Sequence, residues 1–376
     1  MSGCYFIADD LSGALDAAAA FHSSGHRVVI PLSAGDWTAA GPEVITGLTT
    51  ETRNTPADKA AEAVSTVIAR GRELGANLVY KKIDSTLRGP VAAELGAVLA
   101  ALPGTRLLFA PANPAVGRTV SGGVLLVRDR PVHETEFGRD PVSPVRESRL
   151  KALLADLPAG KIEIPDTADF NDLERAVEAQ RRRGGEWVAV GSGALARPVA
   201  AMLTPGSAST GALHRRPPPP GPVLLLGGSA HPINRHQASR LRETEDVPTH
   251  VLLPDSPVNG VVEEIMGSLR TRGATILLAA AERTDSAALL ERLTAVATAA
   301  IEATDTARVF ATGGETARAL CVALDVRQLA FEAELEPGLA VASGTGRSGP
   351  LLLAVKPGGF GDDATWRRAW EFLATA

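Results

Sequence analysis

The sequence of 376 residues contains little cysteine, few aromatic side chains and no long hydrophobic run. Its two cysteines, Cys4 and Cys321, are too few for a disulfide framework or a four-ligand zinc site, so a reduced, cytoplasmic setting is expected. The longest apolar stretches, including residues 351–355, are far shorter than the ~20 residues of a membrane-spanning helix. The residues before Asp9 include neither a basic region nor a long apolar region, and we therefore expect no signal peptide.

A surplus of positive charge is absent as well. Lysine and arginine number 38 against 43 aspartate and glutamate residues, for a net charge of −5, and aromatic residues make up only 4%. Nucleic-acid sites combine dense cations with aromatic side chains, and anionic membranes attract basic clusters. We therefore expect neither a nucleic acid nor a membrane as a partner. The 45% of hydrophobic residues is typical of a globular protein, and the length suits two or three domains.

The segment at 204–222 is rich in proline and small residues and contains four consecutive prolines at 217–220. Proline donates no backbone hydrogen bond and restricts the residue before it to extended conformations. The pattern predicts a stiff linker at 206–222 between a first domain at 1–205 and a second domain at 223–376.

Short apolar runs alternate with longer segments of helical character on both sides of this linker. Strands are predicted at 4–8, 27–32, 43–48, 77–82, 106–110, 186–190, 223–227, 249–253, 274–279, 307–311 and 350–355. Helices are predicted at 12–24, 56–74, 90–101, 146–157, 169–183, 233–242, 258–272, 285–303, 314–324 and 364–374. This alternation indicates an α/β fold of two domains, each a mostly parallel sheet flanked by helices. Ligands of such sheets bind beyond the carboxyl ends of the strands.

Polar residues follow four apolar runs of the first domain, in the segments IADDLSGALD, LTTETRN, KKIDSTLRG and PANPAVGR. Helix capping alone would explain Asp10 or Ser12, and Arg53 alone is compatible with a solvated loop charge. Capping does not explain two lysines, an aspartate, two hydroxyl groups and an arginine in the single turn at 81–89. We therefore interpret these strand ends as a binding site.

The residue types of this site indicate its ligand. Arginine and lysine bind carboxylate or phosphate groups, and aspartate accepts hydrogen bonds from hydroxyl groups. A small polyhydroxylated acid satisfies both sets of groups. The candidates are Arg53, Arg88, Arg118, Lys81, Lys82, Asp9, Asp10 and Asp84.

Glycine-rich turns follow three strands of the second domain, in LLLGGS at 224–229, ATGGETA at 311–317 and KPGGFGD at 356–362. Glycine permits positive φ and close approach of the backbone, and a helix N-terminus presents free amides to an anion. Tight packing is the alternative explanation for each turn taken alone. Their recurrence in one domain favours a site for the phosphate chain of a nucleotide.

Three other motifs have weaker support. The segment GSGALA at 191–196 fits a loose dinucleotide fingerprint, but the chain then enters the proline-rich segment instead of a strand with an acidic residue. The segment GGSAH at 227–231 lacks the last glycine of a nucleophile elbow, and His231 with His236 forms no zinc motif. No P-loop sequence is present. An NAD-dependent hydroxy-acid dehydrogenase and a non-catalytic sugar-acid sensor remain alternatives.

Several motifs of the chain occur in the order seen in the four-carbon acid sugar kinases, which the chain resembles from Ile7 to Asp362. These motifs are ADDLSGALD, KKIDSTLRG, PANPAVGR, GGS, TGGETA and KPGGFG. The resemblance implies a sugar-acid domain, a nucleotide domain and phosphorylation of tetronates with ATP. It implies acid binding by Asp9, Asp10, Arg53, Lys82, Asp84, Ser85 and Arg88, and ATP binding by Ser229, Gly313, Gly314, Glu315 and Gly358. We add Lys356 and Gly359 of the third glycine turn to the ATP site.

The sequence departs from the family pattern at four positions. The family commonly has threonine at the position of Ser12, asparagine at Pro90 and aspartate at Glu315. It commonly has a bulky apolar residue at the position of Asn113. The change at Pro90 removes a possible amide contact with the substrate.

The expected mechanism is phosphoryl transfer from a magnesium complex of ATP to the terminal hydroxyl of the acid, across a cleft that domain closure shields from water. We expect Arg53 with Lys82 or Arg88 to bind the carboxylate. Asp84 is the candidate that orients the hydroxyl and takes its proton, with Asp10 as the second candidate. Glu315 is the candidate protein ligand of the magnesium ion. A homodimer is a possible assembly of the chain.

Overall fold

The computed structural model describes residues 3–41, 43–203, 220–229, 231–280 and 286–376. The chain divides into two compact units, residues 1–210 and 211–376. Residues 204–219, which include most of the predicted linker, lie outside the described residues. None of the described helices combines the length and the hydrophobicity that crossing a membrane requires.

The first unit contains ten strands and six α-helices among its described residues. The strands are β1 (Cys4–Ala8), β2 (Arg27–Pro31), β3 (Val44–Thr49), β4 (Asn77–Lys82), β5 (Arg106–Ala110), β6 (Arg118–Ser121), β7 (Val124–Val127), β8 (Arg130–Pro131), β9 (Ile162–Glu163) and β10 (Trp187–Gly191). The helices are α1 (Leu11–Ser23), α2 (Ala57–Glu73), α3 (Val91–Ala101), α4 (Leu150–Leu153), α5 (Phe170–Arg183) and α6 (Gly193–Met202).

Seven of these strands form a parallel sheet in the order β2-β3-β1-β4-β10-β5-β9. The central strands are apolar on both faces, and Phe6, Ile7 and Ala8 of β1 are fully buried. Helix α1 packs against α6, and α2 packs against α3. This arrangement confirms the predicted α/β class and brings the segments after β3, β1 and β4 to one edge of the sheet.

Strands β6, β7 and β8 form a separate antiparallel sheet that the sequence analysis did not predict. The predicted helix at 146–157 is wrong over most of its length, since only the single turn α4 is helical. The residues before that turn pair with β7 instead, because Leu125 donates to the Ser148 carbonyl and Val124 forms a bridge with Arg149. Pro158 disfavours a helix directly before it.

The second unit contains seven strands and five helices among its described residues. The strands are β11 (Val223–Gly227), β12 (Thr249–Leu252), β13 (Ala274–Ala279), β14 (Arg308–Thr312), β15 (Gln328–Glu336), β16 (Leu339–Gly346) and β17 (Gly349–Lys356). The helices are α7 (Pro232–Glu245), α8 (Val258–Arg272), α9 (Ser286–Thr304), α10 (Gly314–Ala323) and α11 (Thr365–Thr375).

The strand order in this unit is β12-β13-β11-β14-β17-β16-β15. The first five strands are parallel, whereas β16 runs antiparallel to both of its neighbours, β17 and β15. Strands β15 and β16 were not among the predicted strands. The stretch FEAELE within β15 alternates apolar and acidic residues, which is the pattern of a half-buried strand and was the available signal.

Candidate functional site

The first candidate site begins at the carboxyl end of β1, where two aspartates meet Arg53 from the loop after β3. The Arg53 guanidinium donates from Nε and Nη2 to the two oxygens of Asp9, each at 2.9 Å, and from Nη1 to Asp10 at 2.5 Å. Asp10 also begins α1, where it accepts the Gly13 amide at 2.6 Å and the Ser12 hydroxyl at 2.8 Å. Asp10 therefore caps a helix and also belongs to the site.

The turn after β4 folds around the carboxylate of Asp84. Arg88 donates to Asp84 from Nε and Nη2, both at 2.9 Å, and the Thr86 hydroxyl donates to the same carboxylate. Leu87 in this turn has φ of +65°, a left-handed conformation that is unfavourable for leucine. Such conformations persist where the surrounding structure over-determines them, as they do in binding loops.

Two neighbouring lysines of β4 have different surroundings. Lys81 is fully buried and pairs with the buried carboxylate of Glu94 at 2.9 Å, and Glu94 also accepts the hydroxyl of Thr52. This buried pair joins β4 and α3 to the loop that precedes Arg53, so its role is to position that loop. The ammonium of Lys82 lies 3.4 Å from the Asp16 carboxylate and donates to a backbone carbonyl at 3.2 Å.

The position of Gly13 shows how closely these groups approach one another. A Cβ at this position would lie 2.7 Å from Asp10 Oδ1, 3.3 Å from Lys82 Nζ and 3.4 Å from Asp9 Oδ1. Ser85 is half-buried, and its hydroxyl forms no hydrogen bond within the described ranges. The structure thus brings together the residues predicted to bind the acid, namely Asp9, Asp10, Arg53, Lys82, Asp84, Ser85 and Arg88.

Asp84 and Asp9 of this site are held in the ionised form. Burial raises the pKa of Asp84, but the charges of Arg88 and Arg53 outweigh this effect and hold the pKa well below its usual range. Burial also raises the pKa of Asp9, and Arg53 again reverses the direction and lowers it. Both aspartates are therefore charged at neutral pH and accept hydrogen bonds from hydroxyl groups.

The arginines predicted to bind the ligand carboxylate are themselves paired. Arg53 forms ion pairs with Asp9 and Asp10, and Arg88 forms an ion pair with Asp84. These cations therefore orient the aspartates, and their attraction for a further carboxylate is reduced by the pairing.

The second candidate site lies where the three glycine turns of the second unit meet. A Cβ at Gly228 would overlap Thr316, and a Cβ at Gly358 would overlap the Ser229 hydroxyl. Gly313 has φ of +93°, and a Cβ there would lie 3.8 Å from the Cβ of Ser229. Glycine is therefore required at Gly228 and Gly358 because the turns after β11, β14 and β17 approach one another closely, and at Gly313 because of its positive φ.

The third of these turns, residues 357–362, is held through its carbonyl groups. Lys356 Nζ donates to the carbonyls of residues 358 and 360 at 3.2 and 2.8 Å. Asn234 of α7 donates to the carbonyl of 358 at 2.8 Å, and Gln237 donates to those of 360 and 362 at 3.3 and 2.7 Å. All three side chains are buried. Asn234 and Gln237 were not among the predicted site residues, and Lys356 was predicted only as a nucleotide ligand.

These contacts set the direction of the amides in the turn. In a trans peptide the N–H points away from the preceding carbonyl, and no cis bond occurs in the described chain. The amides of Gly359 and Gly361 therefore point away from Asn234 and Gln237. They donate no hydrogen bond to any described residue, so they are available to an anion.

Glu315 is exposed in the first turn of α10, next to Gly314. Among the described residues, no group of three or more His, Cys, Asp and Glu side chains is arranged to hold a metal ion. A divalent ion in this region would therefore take ligands from phosphate groups as well as from the protein, and the carboxylate of Glu315 is an oxygen ligand of the type that magnesium prefers.

The segment GSGALA links β10 to α6, a helix that the sequence analysis missed. A Cβ at Gly191 would overlap the Ala110 carbonyl, and a Cβ at Gly193 would overlap the Asp16 carboxylate. Ser192 begins the helix by accepting the amide of Ala194 at 3.2 Å. Close packing and capping explain this motif, so it gives no support to the dehydrogenase alternative.

Comparison with protein families assigns each unit separately. The family described as a sugar-binding N-terminal domain matches residues 4–192, and the family described as a nucleotide-binding C-terminal domain matches residues 224–366.

Two curated relatives match nearly the whole chain. A D-threonate kinase of Bordetella bronchiseptica is 33% identical across 99% of this chain and 98% of its own length. A 3-oxo-tetronate kinase of Pseudomonas fluorescens is 27% identical across 99% of this chain and 97% of its own length.

Solved structures share the fold. A structure from Salmonella typhimurium LT2 matches with a TM-score of 0.79 and 21% identity across 99% of this chain and all of its own. A domain of unknown function from Bordetella bronchiseptica, crystallised with citrate as a domain-swapped dimer, matches with a TM-score of 0.50 and 31% identity across 99% of this chain and 98% of its own.

Proposed function

The chain belongs to the family of four-carbon acid sugar kinases, and we propose that it transfers the γ-phosphoryl group of ATP to the terminal hydroxyl of D-threonate. Three relatives at 29–33% identity are D-threonate kinases, whereas five relatives named 3-oxo-tetronate kinases are 26–27% identical. The observation that carries the proposal is that the two units contain different kinds of binding group. The first unit gathers paired aspartates and arginines, and the second gathers glycine turns with free amides.

The aspartates of the first unit have the chemistry to bind a polyol chain. Asp9 and Asp10 are oriented by Arg53 and would accept hydrogen bonds from substrate hydroxyls. Asp84 would orient the attacking hydroxyl. Because its pKa is held well below the usual range, it would take the proton late in the transfer, as the loose transition state of phosphoryl transfer permits.

The nucleotide would bind to the glycine turns of the second unit. The amides of Gly359 and Gly361 and the N-terminus of α10, which begins at Gly314, would contact its phosphates. Ser229 and Gly313 lie in the same cluster of turns. A magnesium ion bound with ATP would neutralise phosphate charge during transfer, with Glu315 as its protein ligand.

ADP release across a panel of four-carbon acids tests this function. We expect turnover with D-threonate that exceeds turnover with 3-oxo-tetronate and erythronate, with mass spectrometry showing one added phosphoryl group on the acid. Addition of EDTA should abolish the reaction and excess magnesium should restore it. ADP release that is the same with and without every acid would contradict the proposal. Consumption of added NADH would favour the dehydrogenase.

A second prediction concerns Lys356. Burial lowers the pKa of Lys356 to about 8, although Glu336 acts in the opposite direction. The side chain is charged below this pH and neutral above it, so its attraction for phosphate groups is lost as the pH rises. We expect the Kd for ADP to rise roughly five-fold between pH 7 and pH 9. This change corresponds to about 1 kcal/mol of binding free energy, the size of the attraction between phosphate and one partly screened charge.

Calorimetric titrations of the wild type and Lys356→Met at pH 7, 8 and 9 check this prediction. The variant carries no titrating group at this position, so its Kd should be independent of pH over the same range. A parallel pH dependence in both proteins would assign the effect to another group.

The homodimer and the cytoplasmic location stay predictions. The dimer has indirect support, since a Bordetella bronchiseptica relative was crystallised as a domain-swapped dimer with citrate.

A further inference from the structure

Arg118, at the start of β6, shares an aromatic surface with an arginine of the acid site. The Cζ atom of Arg118 lies 5.7 Å from the centre of the Phe137 ring, and the Cζ atom of Arg88 lies 5.8 Å from the same centre. Phe137 belongs to a short 3₁₀ helix, Glu136–Arg139. Two guanidinium groups are therefore gathered at one ring, although their like charges repel each other.

The two arginines differ in how their charge is balanced. Arg88 pairs with Asp84 at 2.9 Å and lies 3.6 Å from Asp140. The guanidinium of Arg118 donates only to the carbonyl of Val116, at 2.9 Å, and has no carboxylate within 4.0 Å in the part of the chain that the structure describes. Its Nε atom is buried and has no hydrogen-bond partner there.

A desolvated cation without a counter-ion is unfavourable, and burial accordingly lowers the pKa of Arg118. Asp84 and Glu136 act in the opposite direction. Arg118 and Arg88 contact the same Phe137 ring and Arg88 pairs with Asp84, so Arg118 and Asp84 face a common region. An anionic ligand that entered this region would supply the charge that Arg118 lacks.

We propose that Arg118 binds the carboxylate of the sugar acid and makes the enzyme prefer acids over uncharged polyols. This inference rests on the proposed function and assigns the carboxylate to Arg118 instead of Arg53 with Lys82 or Arg88. A guanidinium forms two parallel hydrogen bonds with a carboxylate, and the Phe137 ring lies beside that of Arg118. With the carboxylate at Arg118, the hydroxyl groups along the chain are directed toward Asp84.

The test compares two substrates in Arg118→Gln and in the wild type. The first substrate is the tetronate that the wild type phosphorylates fastest, and the second is the corresponding tetritol, which has no carboxylate. We expect Arg118→Gln to raise the KM for the acid about 20-fold, the effect of losing hydrogen bonds to a charged group. The kcat/KM for the tetritol and the Kd for ADP should change little.

Two further variants serve as controls. Arg130→Gln alters an exposed arginine of the same small sheet, which donates to the Glu134 carbonyl, and should behave as the wild type. Arg118→Lys keeps the charge without the planar pair of donors and should recover part of the affinity for the acid.

Several outcomes would overturn the inference. One is an equal loss of kcat/KM for acid and tetritol, which indicates a structural role, and another is an unchanged KM for the acid. A weakened Kd for ADP with an unchanged acid KM would assign Arg118 to the nucleotide phosphates.

Calorimetry with the acid in the absence of nucleotide separates this inference from the proposed function. A wild type that binds the acid more tightly than Arg118→Gln but releases no ADP would contradict the kinase and leave the role of Arg118 intact. A wild type that binds none of the acids would overturn both.

Discussion

Replacement of Asp84 by asparagine is expected to lower kcat for the sugar acid about 10²–10⁴-fold. The substitution keeps the shape of the side chain but removes the charge that accepts hydrogen bonds from Arg88 and Thr86. An amide neither takes a proton from the substrate hydroxyl nor balances the charge of Arg88. The nucleotide site belongs to the other unit, so the Kd for ADP should stay close to the wild-type value.

Single-turnover kinetics with saturating ATP and acid measure this effect, calorimetry with ADP shows whether the nucleotide site is intact, and circular dichroism shows whether the unit that contains Asp84 remains folded. Asp156→Asn is the matched control, because Asp156 is exposed in the same unit. Arg88→Gln distinguishes two roles of Asp84. If Asp84 acts only by holding Arg88, the two variants lose the same activity, whereas a direct role makes the loss at Asp84 larger. A kcat near the wild-type value would refute the assignment.

The second large effect is expected at the nucleotide site. Gly358→Val should raise the Kd for ADP about 100-fold, near the upper end of the cost of overpacking a closely packed position. The new side chain would overlap the Ser229 hydroxyl and displace the third glycine turn, whose amides are proposed to bind phosphate. The KM for the acid, measured at saturating ATP, should change far less than the Kd for ADP.

Four further variants test the steric explanation. Gly267→Ala is the control, since a Cβ at this position in α8 meets no atom within 4 Å. Gly359→Ala should have a smaller effect than Gly358→Ala, because its Cβ would lie 3.3 Å from the His231 ring. Ser229→Gly combined with Gly358→Ala should recover part of the affinity relative to Gly358→Ala alone. Wild-type affinity in Gly358→Val would show that this turn does not contact the nucleotide.

The sequence predicted the parts of the site that follow from local pattern. Continuous apolar strands such as β1 and β4 identify a parallel sheet, and the topology then places the residues after each strand at a common edge. The charged turn at 81–89 and the glycine turns were therefore located correctly in the fold. The roles assigned to their individual residues stay predictions.

The parts that could not be predicted depend on contacts between distant residues. The pairing of Arg53 with Asp9 spans 44 positions, and the contact of Asn234 with the carbonyl of Gly358 spans 124. A polar residue on a helix does not reveal that its partner is a backbone carbonyl in a later turn. The small sheet β6–β8 consists of strands of two to four residues, which are too short for a periodic signal.

The carbonyl contacts of residues 357–362 have a consequence for the rate at which nucleotide binds. Asn234, Gln237 and Lys356 hold this turn before any ligand arrives, so it loses little conformational entropy when phosphates bind. Association is then not slowed by refolding of the turn, and differences in affinity among nucleotides arise mainly from how fast each one leaves.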